Sequence, residues 1–185
     1  QKVNLLELVL SQFKNIMGWM GDRKYQYPDT LAQEVLACGL QNSALRSELY
    51  CQLCKQLTYN PSQESLDRGW ELMALMISCY PPPENFENYL AMFLRGNAPP
   101  DKKDQFILAM HTIIYGGSRS TPPSLAEIPL LIADFFKREV TRRFQQDDVV
   151  TVRTVHEPAA AASTSRGGVA AAAAPSSSSS SSAAA

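Results

Sequence analysis

The chain lacks long apolar runs, an excess of either charge and all but two histidines, and each shortage excludes a class of protein. No stretch approaches the eighteen or so consecutive apolar residues that a membrane-spanning helix needs; the most apolar segment, Leu72 to Tyr80, is about half that long. Lys and Arg number 17 against 18 Asp and Glu, so no basic excess draws the chain to nucleic acid. His111 and His156 are the only histidines, and motifs of the G-x-S-x-G, G-x-x-x-x-G-K-[ST] and H-E-x-x-H types are absent. Those motifs supply a strained nucleophile, a phosphate cradle and a paired zinc ligand set. The sequence is therefore read as that of a non-enzyme without cofactor or metal. The N-terminal QKVNLLELVLSQF has acidic and polar residues inside its apolar pattern and no small-residue cleavage site, unlike a secretory signal. Four cysteines in such a chain are expected as free thiols in a reducing compartment, the cytoplasm.

What is present is helical periodicity. Leu6, Val9, Leu10, Phe13, Ile16 and Met17 recur at the three-and-four spacing of an amphipathic helix, predicting that this stripe faces the core. GWMGDRKYQYPD then marks a loop. Thr30 with Gln33 has the form of a capping box, predicting a helix start near Asp29 or Thr30, and Gly39 is placed to end that helix. Asn42 or Ser43 can cap the next helix, and Asn60-Pro61 is expected to open the one after it. From Gly69 that helix is apolar on nearly every face, which predicts a central position. Pro81, Pro82 and Pro83 stop it; ENFENYLAMFLR and DKKDQFILAMHTIIY follow, and Ser124 with Glu127 forms another capping box. The reading is all-α over residues 1–138, a helix bundle, with His111 in a helix against the core or its rim. VTRRF, QQDD and VVTVRTV then switch to strand-like alternation around a polar turn, a hairpin-like extension over 139–157. Residues 158–185 are mostly Ala and Ser, a low-complexity segment expected to be a disordered tail.

The one arrangement that resembles a chemical site is C-Q-L-C at residues 51–54. Redox pairs of this spacing gain a low thiol pKa from a helix N-terminus, whereas Cys51 falls about two turns into its helix. Zinc needs four ligands, and Cys38, Cys79, His111 and His156 are isolated in the sequence. Leu49, Tyr50, Leu53 and Leu57 form the apolar face, with Cys54 at its edge and Cys51 further round. The pair is expected to be structural. Trp19 and Met20 lie between two glycines in GWMGD; they are expected to fold back onto neighbouring helices, with Trp19 also a candidate exposed anchor for a partner.

Three blocks together resemble the MyTH4 (myosin tail homology 4) domain: MGWMGDR, LRSELYCQLCKQLTYNPS and RGWELMALMISCYPPPENFENYLAMFLR. Their order and spacing match over about residues 10–117. The resemblance implies a compact, superhelical all-α bundle, as found in tails of unconventional myosins, a plant-type kinesin and some Rho GTPase-activating proteins. TPPSLAEI followed by VTRRFQQDDVVTVRTV is similar to the junction between MyTH4 and the first lobe of a FERM domain, although HEPAAAAS replaces the helix that should follow. The resemblance further implies a binding module in the cytoplasm and on the cytoskeleton. Its partners would be microtubules or actin-associated proteins, cargo or adaptor proteins, and an adjacent FERM domain. An adaptor-only domain of a Rho GTPase-activating or other signalling protein is the alternative.

Charge tests this reading. Residues 1–144 hold 15 Lys and Arg and 15 Asp and Glu, so a contact with an acidic polymer must use a local patch. The candidates are Arg23 and Lys24 in the first loop, Lys102 and Lys103 at a helix start, and Lys137, Arg138, Arg142 and Arg143 near the hairpin.

Overall fold

From Gly69 onward the sequence offers no polar face, and this segment forms the inside of the structure. The structure, a computed structural model, describes residues 4–138; the expected hairpin over 139–157 and the expected tail at 158–185 lie outside the described residues. Within them the chain is all-helical: α1 (Leu5–Met20), α2 (Pro28–Gln41), a 3-10 turn (Ser43–Leu45), α3 (Arg46–Leu57), α4 (Gln63–Cys79), α5 (Glu84–Asn97), α6 (Lys103–Gly116) and α7 (Glu127–Lys137). Helix α4 is surrounded by α1, α2, α3, α6 and α7. Trp70 and the run Leu72–Ile77 are buried. Trp70 stacks on Phe93 of α5 and tilts against Phe106 of α6, with centroids 5.9 and 5.3 Å away. Phe106 in turn meets Phe135 of α7 at 4.9 Å. An aromatic chain thus runs from the centre to α7.

Helix ends depart from expectation in instructive ways. Helix α2 begins at Pro28, whose fixed φ suits the first turn, and Thr30 makes no capping box: its hydroxyl donates to the Tyr27 carbonyl at 2.7 Å. Gly39 does not end α2, which continues to Gln41. It is instead the site of a close approach, where a Cβ would lie 2.2 Å from Tyr80 Cζ. Neither Asn42 nor Ser43 caps the next element with its side chain; the Asn42 amide donates back to the Cys38 carbonyl. The cap of α4 is Ser62, accepting from the Ser65 amide at 3.3 Å, and Asn60-Pro61 lies before the helix. The Ser124–Glu127 capping box forms reciprocally: the Ser124 amide donates to Glu127 Oε2 at 2.7 Å and the Glu127 amide to Ser124 Oγ at 3.3 Å.

Helix α1 also turns a different face inward. Its core side carries Gln12, Asn15, Ile16, Trp19 and Met20, whereas Leu6 and Leu10 of the expected stripe are exposed. The buried amides are satisfied: Asn15 Nδ2 donates to Glu34 Oε2 of α2 at 2.8 Å. At the other end Trp19 Nε1 donates to the Arg68 carbonyl at 2.7 Å, Arg68 donates to the Trp19 carbonyl at 2.9 Å, and the guanidinium lies 5.5 Å from the indole centroid. This reciprocal clamp fastens α1 to α4.

Candidate interaction surface

The candidate residues that fall within 4–138 have distinct settings. Trp19 is 4% exposed and engaged in the clamp to Arg68, so burial removes it as an exposed anchor; of the two roles considered for it, folding back is the one observed. Arg23 and Lys24 are exposed in the loop between α1 and α2. Arg142 and Arg143 lie outside the described residues. His111 is exposed on α6 rather than set against the core, because the buried face of that helix is built from Gln105, Phe106 and Met110.

The two remaining basic pairs, separate in sequence, meet in space. Lys102 Nζ donates to the Phe136 carbonyl at 2.9 Å, and Gln105 Nε2 donates to the Phe135 carbonyl. The start of α6 therefore holds the end of α7. The lysine cation sits where the helix leaves carbonyls without partners and where the dipole favours positive charge. This gathers Lys102, Lys103, Lys137 and Arg138 along one edge. Their availability differs. Lys102 is committed to α7, Arg138 pairs with Asp134 one turn back, Lys103 is half-buried and Lys137 is exposed. Asp101, Asp104 and Asp134 are interleaved with them. The edge is a weakly basic one.

Two of the grooves on the described residues adjoin candidate residues. One, of about 370 Å³, lies between α6 and α7 over Leu108, Ala109, Ile113, Leu131 and Phe135, with Asp134 and Arg138 on its rim. The other, of about 460 Å³, separates α3 from α5 and is lined by Cys51, Cys54, Lys55, Phe86, Tyr89 and Phe93. Sequence reasoning found the thiols of this second groove but missed its aromatic wall. Its signal was Phe86, Tyr89 and Phe93 recurring at three-and-four spacing on α5.

Thiol chemistry is suppressed here. Cys51 and Cys54 lie in the body of α3, far from the N-terminal dipole. Burial pushes the Cys54 thiol up to about 12, and burial with the nearby Glu48 carboxylate raises Cys51. Cys79 is pushed up to about 11 by burial, with Arg119 opposing. Thiolate, the nucleophile and metal ligand, is thus disfavoured at neutral pH. No cluster of three or more His, Cys, Asp or Glu able to hold a metal ion occurs among the described residues, and no described helix is long and apolar enough to cross a membrane.

Comparison with known proteins gives one consistent result. A family model described as the MyTH4 domain matches residues 32–129. The high molecular weight form of myosin-1 from Acanthamoeba castellanii is 45% identical over 116 residues, covering 63% of this chain and 7% of that protein. Myosin-VIIa of Drosophila melanogaster is 34% identical over 126 residues, 64% of this chain and 6% of the relative. The chain thus spans less than a tenth of the curated relatives it matches. Among solved structures, the C-terminal MyTH4-FERM domain of human myosin 7b, in complex with the harmonin-a PDZ3 domain, superposes with a TM-score of 0.63 at 26% identity, over 70% of this chain and 28% of that one. A variant of the Dictyostelium discoideum myosin VII MyTH4-FERM MF1 domain gives 0.64 at 24% identity, over 72% and 30%, and supports the fold.

Proposed function

Because this chain belongs to the MyTH4 domain family, we propose that it acts as a non-enzymatic binding module in the tail of an unconventional myosin, in the cytoplasm and on the cytoskeleton. In this reading residues 1–138 form the MyTH4 domain and 139–157 the start of a FERM first lobe, which would supply the adjacent half of the binding surface. The polymer contact falls to the edge where α6 begins and α7 ends, because folding gathers there two basic pairs that sequence keeps apart. Lys103 and Lys137 are its free cations, with Arg23 and Lys24 in the first loop as a second, smaller patch. Such contacts are electrostatic and weaken with salt, since the screening length falls to about 8 Å at physiological ionic strength and about 3 Å at 1 M.

Co-sedimentation with microtubules at low salt tests the reading. Lys103→Glu together with Lys137→Glu should lower the bound fraction while leaving the helical circular dichroism unchanged. Lys102 is unsuitable for this purpose, because its ammonium holds α7. No pelleting even at low salt rejects the polymer contact.

One observation favours a second reading, in which the module binds cargo or adaptor proteins alone. The basic edge carries Asp101, Asp104 and Asp134 among its cations, and the myosin 7b relative was solved with a PDZ domain bound. Binding to a protein partner with no microtubule pelleting would select it.

A further inference from the structure

Helix α1 has two apolar faces, and the bundle uses only one. The unused face carries Leu6, Leu10, Phe13 and Met17, at successive spacings of four, three and four residues. Alternating fours and threes are the spacings between the two apolar seam positions of a coiled-coil heptad. At about 100° per residue these four side chains cluster on a face roughly 135° away from the inward one that holds Gln12, Asn15, Ile16 and Trp19. Leu6 is 65% exposed and Leu10 51% exposed, and Phe13 and Met17 are half-buried.

The charges beside this seam identify what can cover it. Glu7 and Lys14 sit on the same flank, seven residues apart, and both are exposed. The ion pairs among the described residues are Arg119–Glu127 and Arg138–Asp134, which leaves Glu7 and Lys14 unpaired. If a second α1 packs antiparallel so that Leu6 meets Met17 and Leu10 meets Phe13, like flanks face each other across the two-fold axis. Glu7 of one copy then lies about two residues, roughly 3 Å of helix rise, from Lys14 of the other, and the reverse pair forms by symmetry. A parallel pairing would instead bring this flank against the Val9 side and leave both charges unmatched. Apolar seam and charges are together self-complementary, which is what a two-fold contact between identical chains requires.

We propose that α1 is a homodimerisation helix, pairing antiparallel with α1 of a second copy of this chain through Leu6, Leu10, Phe13 and Met17 and a reciprocal Glu7–Lys14 contact. Four seam residues per copy bury less than the ~1,600 Å² of a standard stable interface, so the association is weak and concentration-dependent.

Sedimentation equilibrium on the whole chain provides the test. The weight-average mass should climb from the monomer towards twice that value as concentration rises. Leu10→Glu should hold it at the monomer mass with unchanged helical circular dichroism, because Leu10 is exposed and supports no core contact. Glu7→Lys and Lys14→Glu should each weaken association several-fold, since each creates two like-charge contacts, and combining them should restore it. A wild-type chain that stays monomeric throughout, or a Leu10→Glu variant that dimerises as the parent does, overturns the proposal. So does a double charge variant no stronger than the single ones.

Discussion

Replacing Gly39 with alanine adds one methyl group where the structure has no room for it. Alanine in a helix interior is favoured over glycine by about 0.8–1 kcal/mol, so in an open position the change would stabilise α2. At Gly39 the new Cβ would lie 2.2 Å from Tyr80 Cζ and 2.5 Å from both Cε1 and Oη, more than an ångström inside ordinary contact. The ring cannot easily yield. It is fully buried, meets Tyr50 edge-on at 5.8 Å and lies 5.2 Å beneath the Arg46 guanidinium. Tyr50 Oη donates to the Tyr80 carbonyl at 2.8 Å, and Arg46 Nε to the Gly39 carbonyl at 2.7 Å. Overpacking of this kind costs about 1–3 kcal/mol and occasionally more. A clash with a pinned ring belongs at or above the upper end, leaving a net loss of about 2 kcal/mol after the propensity gain. For a chain of this size that lowers Tm by roughly 4–8 °C, measurable by thermal unfolding followed with far-ultraviolet circular dichroism. Gly96→Ala is the internal control. Nothing lies within 4 Å of its Cβ position, so it should leave Tm unchanged or raise it. A Gly39→Ala variant as stable as Gly96→Ala would refute the placement of Tyr80 against α2.

Trp70→Ala should cost about 3–5 kcal/mol in chemical denaturation, because the indole joins α4 to Phe93 and Phe106; an unchanged midpoint would contradict the central position of α4. Lys102→Met should lose about 1 kcal/mol by freeing the end of α7, whereas Lys103→Met should be close to neutral, a contrast that paired thermal melts would show. Stability should also decline as pH rises above about 9. The unfolded chain releases thiol protons from that point, while Cys79 and Cys54 keep theirs until about 11 and about 12, so the folded state binds more protons across that window. Cys54→Ser should flatten the decline, and melting curves recorded from pH 7 to 10.5 would reveal an unchanged slope if burial of the thiol is wrong.

Much of this architecture was legible in the sequence because it rests on strong patterns. An apolar run with no polar face has nowhere to go but the centre, and the faces of α3, including the edge position of Cys54, followed from angular arithmetic. Reciprocal side-chain chemistry made the Ser124–Glu127 box readable for the same local reason. Failures arose where a residue has two local meanings and distant packing chooses between them. A glycine late in a helix can end it or admit a neighbour, and Tyr80, forty-one residues away, decides the second for Gly39. Apolar spacing on α1 marks a packed face without saying which body packs it, and the amides of Gln12 and Asn15 found partners that their polarity concealed. At the candidate surface the charges were visible, but not their employment. Lys102 acts on a carbonyl thirty-four residues further along, a contact no local rule anticipates.

The enclosure of α4 by five other helices has a consequence for motion. An amide hydrogen there can exchange with solvent only when the surrounding helices separate, so the amides of residues 70–77 should exchange at the rate set by complete unfolding. The N-terminal turns of α1, beyond the Trp19–Arg68 clamp, should exchange through local fraying. A body whose centre opens only all at once has little capacity for internal hinge motion. It holds its outer surfaces at fixed separations and angles, and a pull applied to one helix is delivered to all of them together.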